Sequence, residues 1–248
     1  MIITATDTQA NERYLRFGFG LDHPESTYFH DENCSAETDD YVRLLYGCNT
    51  PGNDGFPVIR SVGEFGNVPV VEFGIGYPSG KTRWELLIEY RPSFDFSGNS
   101  TWNTSVQVAS SKNITSLAGM VAGYFDFKEV VLFNDRKAVP FVGAGLGIAR
   151  HRTNDFQIRF RTSTTTIPGA AKTNFAWMIT AGLGFKLDEY QTLDLSWHYT
   201  DLGSVYTGSG IGQRHGNVEG DLRAEWYQLP TVAELKGHGI RLSLRIKI

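Results

Sequence analysis

An acid, an imidazole and a hydroxyl recur on one side of the segment TLDLSWHYT, residues 192–200. In an extended chain Asp194, His198 and Thr200 would share a face, and such a set can activate a nucleophile for acyl transfer. Threonine stands where the nucleophile is usually serine, however, and no donor for an oxyanion can be named. We therefore predict that His198 is a structural histidine and that the protein has no catalytic residue.

A second candidate for chemistry is the glycine-rich segment PFVGAGLGIAR, residues 140–150. Gly143, Gly145 and Gly147 have the spacing G-x-G-x-G, whereas a dinucleotide-binding loop needs G-x-G-x-x-G at a turn from a strand into a helix. The strand pattern continues on both sides of these glycines, so we reject a nucleotide site and expect no cofactor. Glycine weakens a strand, so three glycines on one face require another explanation.

The only two cysteines lie close together in the polar segment NCSAETDDYVRLLYGC. Cys34 and Cys48 are therefore expected to form a disulfide within a loop, in an oxidising compartment. The same region combines acidic residues with His23 and His30 but lacks the ligand spacing of a metal motif. We predict a solvated loop and no metal site.

Composition and hydropathy exclude two classes of protein. The 248 residues contain 23 Lys plus Arg and 27 Asp plus Glu, a net charge of -4, which disfavours a nucleic-acid partner. No apolar run reaches the roughly 18 residues of a transmembrane helix, although a membrane-spanning strand needs only about 9–11 residues with alternate positions apolar. The start, MIITATDTQANER, lacks the pattern of a signal peptide, so for an exported protein we expect that the signal is already removed.

Apolar residues alternate with polar residues or glycine in eight segments, as is typical of strands with two unlike faces. The segments are RYLRFGFGL, PVVEFGIGY, RWELLIEYRPSFDF, SLAGMVAGYFDF, PFVGAGLGIAR, NFAWMITAGLGFKL, TLDLSWHYT and GIRLSLRIKI.

The connections between these segments alternate in length. Long segments at 22–67, 97–113, 151–172 and 202–236 are separated by shorter connections. Long loops on one side and short turns on the other are the plan of an up-and-down barrel in the bacterial outer membrane. We therefore predict an all-β, eight-stranded antiparallel transmembrane barrel as one domain over 12–248, preceded by a periplasmic segment over 1–11.

Alternation alone does not decide which face points inward, because a soluble eight-stranded ligand carrier would bury the same apolar face. Four strands carry Gly-x-Gly on the polar face. A narrow lumen explains this pattern, because glycines leave room there for the long side chains of neighbouring strands. We predict that the polar face lines this lumen, where buried charges must pair. The expected polar network is Arg16, Glu72, Arg83, Glu85, Glu89, Arg91, Asp126, Lys186, Asp194, His198, Arg241, Arg245 and Lys247. The expected lumen glycines are Gly18, Gly20, Gly74, Gly76, Gly143, Gly145, Gly147, Gly182 and Gly184.

Aromatic residues lie near both ends of the expected strands, as in the two interfacial girdles of membrane barrels. We assign to these girdles Tyr77, Trp84, Phe94, Phe96, Phe175, Trp177 and Phe185.

Three stretches of the sequence resemble the small outer-membrane β-barrel family of opacity-type and OmpX-like surface proteins. They are SLAGMVAGYFDF, VPFVGAGLGIA and NFAWMITAGLGFKLDEYQTLDLSWHYTDLGS. The resemblance runs from about Ser116 to Leu202 and resumes in the last strand. It implies an eight-stranded barrel in the outer membrane of a Gram-negative bacterium, with surface loops that act in adhesion, host interaction or envelope integrity. It implies no catalytic site. Family members usually end in an aromatic residue, whereas this chain ends in Ile248.

We therefore expect an integral outer-membrane protein, in contact with lipid and lipopolysaccharide, whose lumen is plugged by charges. The segments 22–67, 97–113, 151–172 and 202–236 are expected to bind an extracellular or host ligand, or to serve the structure of the envelope. Two alternatives stay open at this point: a small or gated pore for modest solutes and, below it, a lipid-modifying enzyme.

Overall fold

The computed structural model describes residues 13–32, 60–102, 105–131, 137–216 and 220–248. Within these ranges the chain forms fifteen β-strands and no helix. The strands are β1 Tyr14–Pro24, β2 Thr27–Asp31, β3 Arg60–Glu64, β4 Val68–Ser79, β5 Thr82–Trp102, β6 Ser105–Asp126, β7 Val130–Val131, β8 Lys137–Arg152, β9 Phe156–Arg159, β10 Ser163–Ile167, β11 Ala171–Lys186, β12 Gln191–Tyr206, β13 Gly210–Gly216, β14 Leu222–Gln228 and β15 Thr231–Lys247. Among the described residues, no helix is long and apolar enough to cross a membrane. The segment 1–11 and the pair Cys34 and Cys48 lie outside the described residues.

Eight of the described strands form a closed ring. In order around the ring they are β1, β4, β5, β6, β8, β11, β12 and β15, and every neighbouring pair is antiparallel. The last strand closes on the first, from Tyr14 opposite Lys247 to Pro24 opposite Gly237. Closure lets the backbone groups of the wall bond to one another, which is the condition for strands that lie in lipid. The prediction of an eight-stranded antiparallel barrel is confirmed.

The two ends of the ring differ in their connections. At one end, here called the inner end, β4 and β5 are joined by a turn in which Gly80 has a φ of 62°. The turn between β11 and β12 is held by Asp188 Oδ1, which accepts hydrogen bonds from the backbone N–H groups of Tyr190 and Gln191 at 2.7 Å. β1 begins and β15 ends at the same end, as expected for the periplasmic side of such a barrel. The opposite end is called the outer end.

In their described parts, the long segments predicted as loops at the outer end consist largely of strands, which corrects that part of the prediction. The described parts of 22–67 contain β2 and β3, 97–113 holds the outer parts of β5 and β6, 151–172 contains β9 and β10, and 202–236 contains β13 and β14. Here these strands and the outer parts of β5, β6 and β15 are called the outer sheet. β5 has 21 residues, about twice the roughly 9–11 residues with which a strand crosses a bilayer. At about 3.4 Å per residue it spans about 70 Å.

Between the inner end and the outer sheet, the apolar face of the ring points outward. Phe19, Leu146 and Ile240 are 62%, 61% and 61% exposed, and they lie on three different ring strands. A closed belt of exposed apolar side chains is typical of lipid contact, whereas a soluble carrier would turn this face into its core. The apolar belt therefore contradicts the soluble alternative.

Residue types on the two faces exchange where the apolar belt ends. On β15 the inward positions change from Arg241 to Leu235, which is 2% exposed. Its outward positions change over the same distance from Ile240 to the exposed Glu234. Apolar groups thus face outward along the belt and inward beyond it, so this level marks where the wall leaves the lipid.

Bulges produce the same exchange on β5. The register with β6 shifts between Arg91 and Phe94 and again between Phe94 and Phe96, and the two phenylalanines are only 5% and 0% exposed. Their assignment to an outward girdle is therefore wrong. The other expected girdle residues lie at outward positions, with Tyr77, Trp84 and Phe175 exposed and Trp177 and Phe185 half-buried.

Gly145 and Leu146 provide a test of the two faces. Gly145 is buried, and a Cβ added there would lie 3.1 Å from Met178 Cε and 3.2 Å from Ala122 Cβ, whereas Leu146 is 61% exposed. We expect Gly145→Leu to block folding, because extra side-chain atoms in a packed interior typically cost about 1–3 kcal/mol and occasionally more. We expect Leu146→Phe to fold normally. Heat-modifiable gel migration after refolding in detergent measures both. Equal folding of the two variants would mean that the faces are reversed.

Candidate functional site

The lumen is filled by side chains of the ring strands, and its largest side chains are arginines. Arg16, Arg83, Arg91 and Arg241 are each at most 1% exposed. Burial of an unpaired charge costs several kcal/mol, so these guanidinium groups require carboxylate partners. Each of the four has two or more carboxylates within 4.0 Å.

Near the inner end, Arg83 contacts three acids. Its Nη1 lies 2.8 Å from Glu85 Oε1 and 4.0 Å from Asp194 Oδ2. Its Nε donates to Asp126 Oδ1 at 3.2 Å. Tyr14 donates its hydroxyl hydrogen to Glu85 Oε1 at 2.5 Å. Four ring strands, β1, β5, β6 and β12, are thereby connected across the lumen.

Arg16 extends these contacts to the middle of the lumen. Its Nη1 lies 3.2 Å from Glu85 Oε2, and its Nε donates to Glu72 Oε1 at 2.9 Å. Its Nη2 donates to Ser243 Oγ at 3.0 Å, and Ser243 in turn donates to Glu72. Every hydrogen-bonding nitrogen of this guanidinium therefore has a partner, as full burial requires.

Towards the outer end, two arginines share the carboxylate of Asp22. Arg91 Nη2 lies 2.7 Å from Asp22 Oδ2, and Arg241 Nη1 lies 2.6 Å from Asp22 Oδ1. Arg91 Nη2 is also 2.9 Å from Glu89 Oε2. Arg241 Nε lies 3.8 Å from Glu72 Oε2, which joins this group to the middle of the lumen.

The ion pairs form one continuous network along the lumen. Arg245 joins it through Asp194, with Nε 2.7 Å from Oδ2. Within the described residues the network contains five arginines and six carboxylates: Arg16, Arg83, Arg91, Arg241, Arg245, Asp22, Glu72, Glu85, Glu89, Asp126 and Asp194. Because the two signs nearly balance, the network fills the lumen without creating a strong field of one sign.

Two of the expected lumen charges are exposed instead of buried, and one member of the network was not expected. Lys186 and Lys247 are exposed at the inner ends of β11 and β15, where the wall reaches water. The loop predicted over 22–67 includes Asp22, although Asp22 continues the even positions that Arg16 and Gly20 occupy on β1. That parity was the signal that could have identified Asp22.

The nine expected glycines all lie at inward positions of ring strands, and several provide room for the network. A Cβ at Gly20 would lie 2.2 Å from the backbone oxygen of Ile240 and 2.5 Å from Arg241 Cδ. A Cβ at Gly184 would lie 2.8 Å from Asp194 Oδ1. These distances are too short for a real contact. Glycine at these positions therefore lets long charged side chains of neighbouring strands cross the lumen.

Other lumen glycines make room for uncharged groups. The glycines of PFVGAGLGIAR are therefore not explained by charged side chains, which were the expected reason for small residues in the lumen. A Cβ at Gly143 would lie 2.5 Å from the ring of Tyr124, and one at Gly145 would approach Met178. At Gly147 a Cβ would collide with the backbone of Gly119 on β6. The glycines of this strand thus admit an aromatic ring, a thioether and a neighbouring backbone.

An apolar cluster closes the lumen beyond the charge network. The aromatic cap is defined here as Phe29, Phe65, Phe94, Phe96 and Phe156. Ring centroids lie 4.8 Å apart for Phe29 and Phe96 and 4.7 Å apart for Phe29 and Phe156. All five side chains are at most 5% exposed. The cap was missed because most of its residues lie in segments expected to be loops.

His198 lies in the lumen with no exposed surface. Its Nε2 is 3.0 Å from Ser196 Oγ, and Asp194 pairs with Arg245 and Arg83 instead of orienting the imidazole. Ser196 is only 3% exposed, so a lipid substrate has no access to this pair. Among the described residues, no group of three or more His, Cys, Asp or Glu side chains is placed to hold a metal ion.

Comparison with known proteins finds outer membrane proteins. No family model matches the sequence. The chain is 24% identical over 171 residues to the outer membrane protein PagN of Salmonella typhimurium, an alignment that covers 66% of this chain and 70% of the relative. Among solved structures, it is similar to the outer membrane protein OprG of Pseudomonas aeruginosa, with a TM-score of 0.50, 10% sequence identity and 96% of each chain covered.

A closed antiparallel ring with an apolar exterior and a filled, charged interior defines an outer-membrane β-barrel protein. This chain is a small eight-stranded barrel of that kind, as its resemblance to opacity-type and OmpX-like proteins predicted. Its location is the bacterial outer membrane.

Asp22 is the most direct test of the network, because two buried arginines depend on it. We expect Asp22→Asn to lower the free energy of unfolding by about 3–5 kcal/mol, the usual cost of removing one partner of a buried ion pair. Urea titration of the refolded barrel in detergent measures this change. Glu64→Gln, at an exposed position of β3, is the control and should change stability little. Equal stability of the two variants would contradict the role of Asp22.

Proposed function

We propose that this protein acts at the cell surface through its outer sheet, in binding or adhesion or in the structure of the envelope, and that it is neither a pore nor an enzyme. The observation that carries the proposal is a lumen closed at two levels below a sheet that continues well beyond the lipid. Function then belongs to the part of the wall that faces the outside of the cell.

The closed lumen supports a role other than transport. The charge network spans the ring from Arg83 to Arg91, and the aromatic cap covers it at the outer end. A solute would have to break ion pairs between side chains at most 6% exposed and then separate packed phenylalanines. Each of these steps costs several kcal/mol.

The outer sheet has the properties of a rigid binding surface. β9, β10, β13 and β14 continue the sheet in antiparallel register from β6. On its inward side β2, β5 and β9 contribute phenylalanines to the aromatic cap, while outward positions such as Asp95, Ser97 and Asn99 are exposed and polar. Polar side chains on a rigid scaffold bind a partner with less loss of conformational entropy than those of a flexible loop.

The burial of His198 supports the absence of catalysis. The imidazole and Ser196 Oγ are close enough to interact, but both lie among the buried groups of the lumen. A hydrolase of membrane lipids would need its nucleophile at the lipid-facing wall or in a cleft open to it. We therefore assign Ser196 and His198 a structural role.

A first test is the conductance of planar bilayers that contain the purified barrel. We expect no channel steps for the wild-type chain. We also expect none for the double variant Phe96→Ala and Phe156→Ala, because the ion pairs below the aromatic cap still fill the lumen. Regular conductance steps of the wild-type barrel would favour the pore and contradict the proposal.

A second test removes the end of the outer sheet. Residues 208–230 can be replaced by a short turn, because Tyr206 and Val232 already face each other in the ring. We expect cells with this variant to lose most of their adhesion to host cells or matrix while the barrel stays heat-modifiable. A sequence change in the inner turn 187–190 is the matched control and should leave adhesion unchanged.

The same strains separate the two forms of the proposed role. If the variant lacking 208–230 adheres normally but the cells become sensitive to detergent, the role in the envelope is favoured over binding. Normal adhesion together with a normal detergent barrier, in both this variant and a strain without the protein, would contradict the proposal.

A further inference from the structure

A groove opens on the wall of the barrel where the contact between β6 and β8 is interrupted. β6 pairs with β8 as far as Thr115 opposite Arg152, and pairing resumes with β9 at Ser111 opposite Phe156. Asn113, between these two stretches, has a φ of 56°, a left-handed conformation, and the register between β6 and β5 shifts at the same place. The resulting groove has a volume of about 970 Å³.

Basic side chains predominate at this groove. Lys112, Arg150 and Arg152 line it and are exposed. The acid in the lining, Asp155, accepts a hydrogen bond from the backbone N–H of Gly169 at 3.2 Å. Three bases and one acid leave the groove with a net positive charge. It is called the basic groove below.

The basic groove lies at the level where the wall leaves the lipid. On β8 the outward face changes from Ile148, 60% exposed, to Arg150. Across the sheet Arg150 is opposite Leu117, which is 51% exposed and lines the groove together with Tyr90. One rim of the groove is therefore apolar and in the lipid belt, while the other rim is basic and reaches water.

A ligand that matches both rims has acyl chains and an anionic headgroup. We propose that the basic groove binds the phosphate of an outer-leaflet glycolipid, with Arg150, Arg152 and Lys112 as its contacts. The planar guanidinium fork suits bidentate contact with phosphate oxygens, and the ammonium group adds a mobile point charge. A phosphorylated sugar lipid such as lipid A carries its phosphates next to its acyl chains, which matches a basic rim beside an apolar rim.

This inference does not depend on what the outer sheet binds. The basic groove is on the lateral wall beside the membrane, and it needs only the location of the barrel in the outer membrane. A barrel that failed every adhesion test could still bind this lipid, so the two proposals fail separately.

The test measures binding of diphosphorylated lipid A to the full-length barrel folded in detergent micelles. We expect the double variant Arg150→Glu and Arg152→Glu to bind at least about tenfold more weakly, because basic side chains near a surface attract anionic lipid. Lys81→Glu with Lys186→Glu makes the same charge change at exposed positions of the inner end and should bind like wild type. Arg150→Lys with Arg152→Lys keeps the charge but removes the bidentate fork, so its affinity should lie between those of wild type and the glutamate variant.

Two further ligands identify the recognised chemistry, and heat-modifiable migration checks that each variant is folded. Dephosphorylated lipid A should bind as weakly to wild type as diphosphorylated lipid A binds to the glutamate variant. Inorganic phosphate at equal concentration should bind far more weakly than the lipid. The proposal is overturned if the inner-end control loses as much affinity as the groove variant. It is also overturned if removal of the phosphates has no effect, or if free phosphate binds as well as the lipid.

Discussion

Charges buried inside a ring of eight strands must be neutralised by other charges of the same ring. The interior is only just wide enough for side chains, so water cannot hydrate them freely. The pairing of Arg16 with Glu72 and Glu85 meets this requirement between strands that are distant in the sequence. Each such contact also fixes the register of the strands that supply it, because a shift by one residue would turn the arginine into the lipid. The polar interior thus helps to specify the barrel.

Side-chain size in the lumen follows from the same requirement. A long guanidinium group reaches a carboxylate on another strand only if the positions between them are small. Gly20 faces Arg241, and Gly184 faces Asp194 and Arg245. Where no charge crosses, the glycine strand β8 admits Tyr124 and Met178 instead. The rings and thioethers complete the filling of the lumen, so that polar and apolar groups share one packed interior.

Alternating connection lengths predicted the up-and-down barrel, and Gly-x-Gly on the polar face predicted which face lines the lumen. Period-two alternation predicted the ring strands, because lipid on one side and a charged lumen on the other impose it on every crossing. It failed where that constraint ends. In the sequence, Phe94 and Phe96 continue the apolar alternation of β5. A bulge between Arg91 and Phe94 nevertheless turns their side chains from the outward to the inward face. A bulge has no signal in hydropathy. The polar composition of the outer strands, whose outward face meets water, predicts loops instead of strands. Parity alone predicts Lys186 and Lys247 in the lumen, although their strand ends reach solvent.

Apolar side chains face outward along the lipid belt and inward beyond it. Outward residues on the two sides of this level therefore tolerate different substitutions. Below that level an outward residue must remain apolar, since it contacts lipid. Above that level the aromatic cap packs against the inward side of the sheet, so exposed residues such as Ser97 and Asn99 make no packing contacts that stability requires. The surface seen from outside the cell can therefore change in sequence while the barrel beneath it keeps its stability.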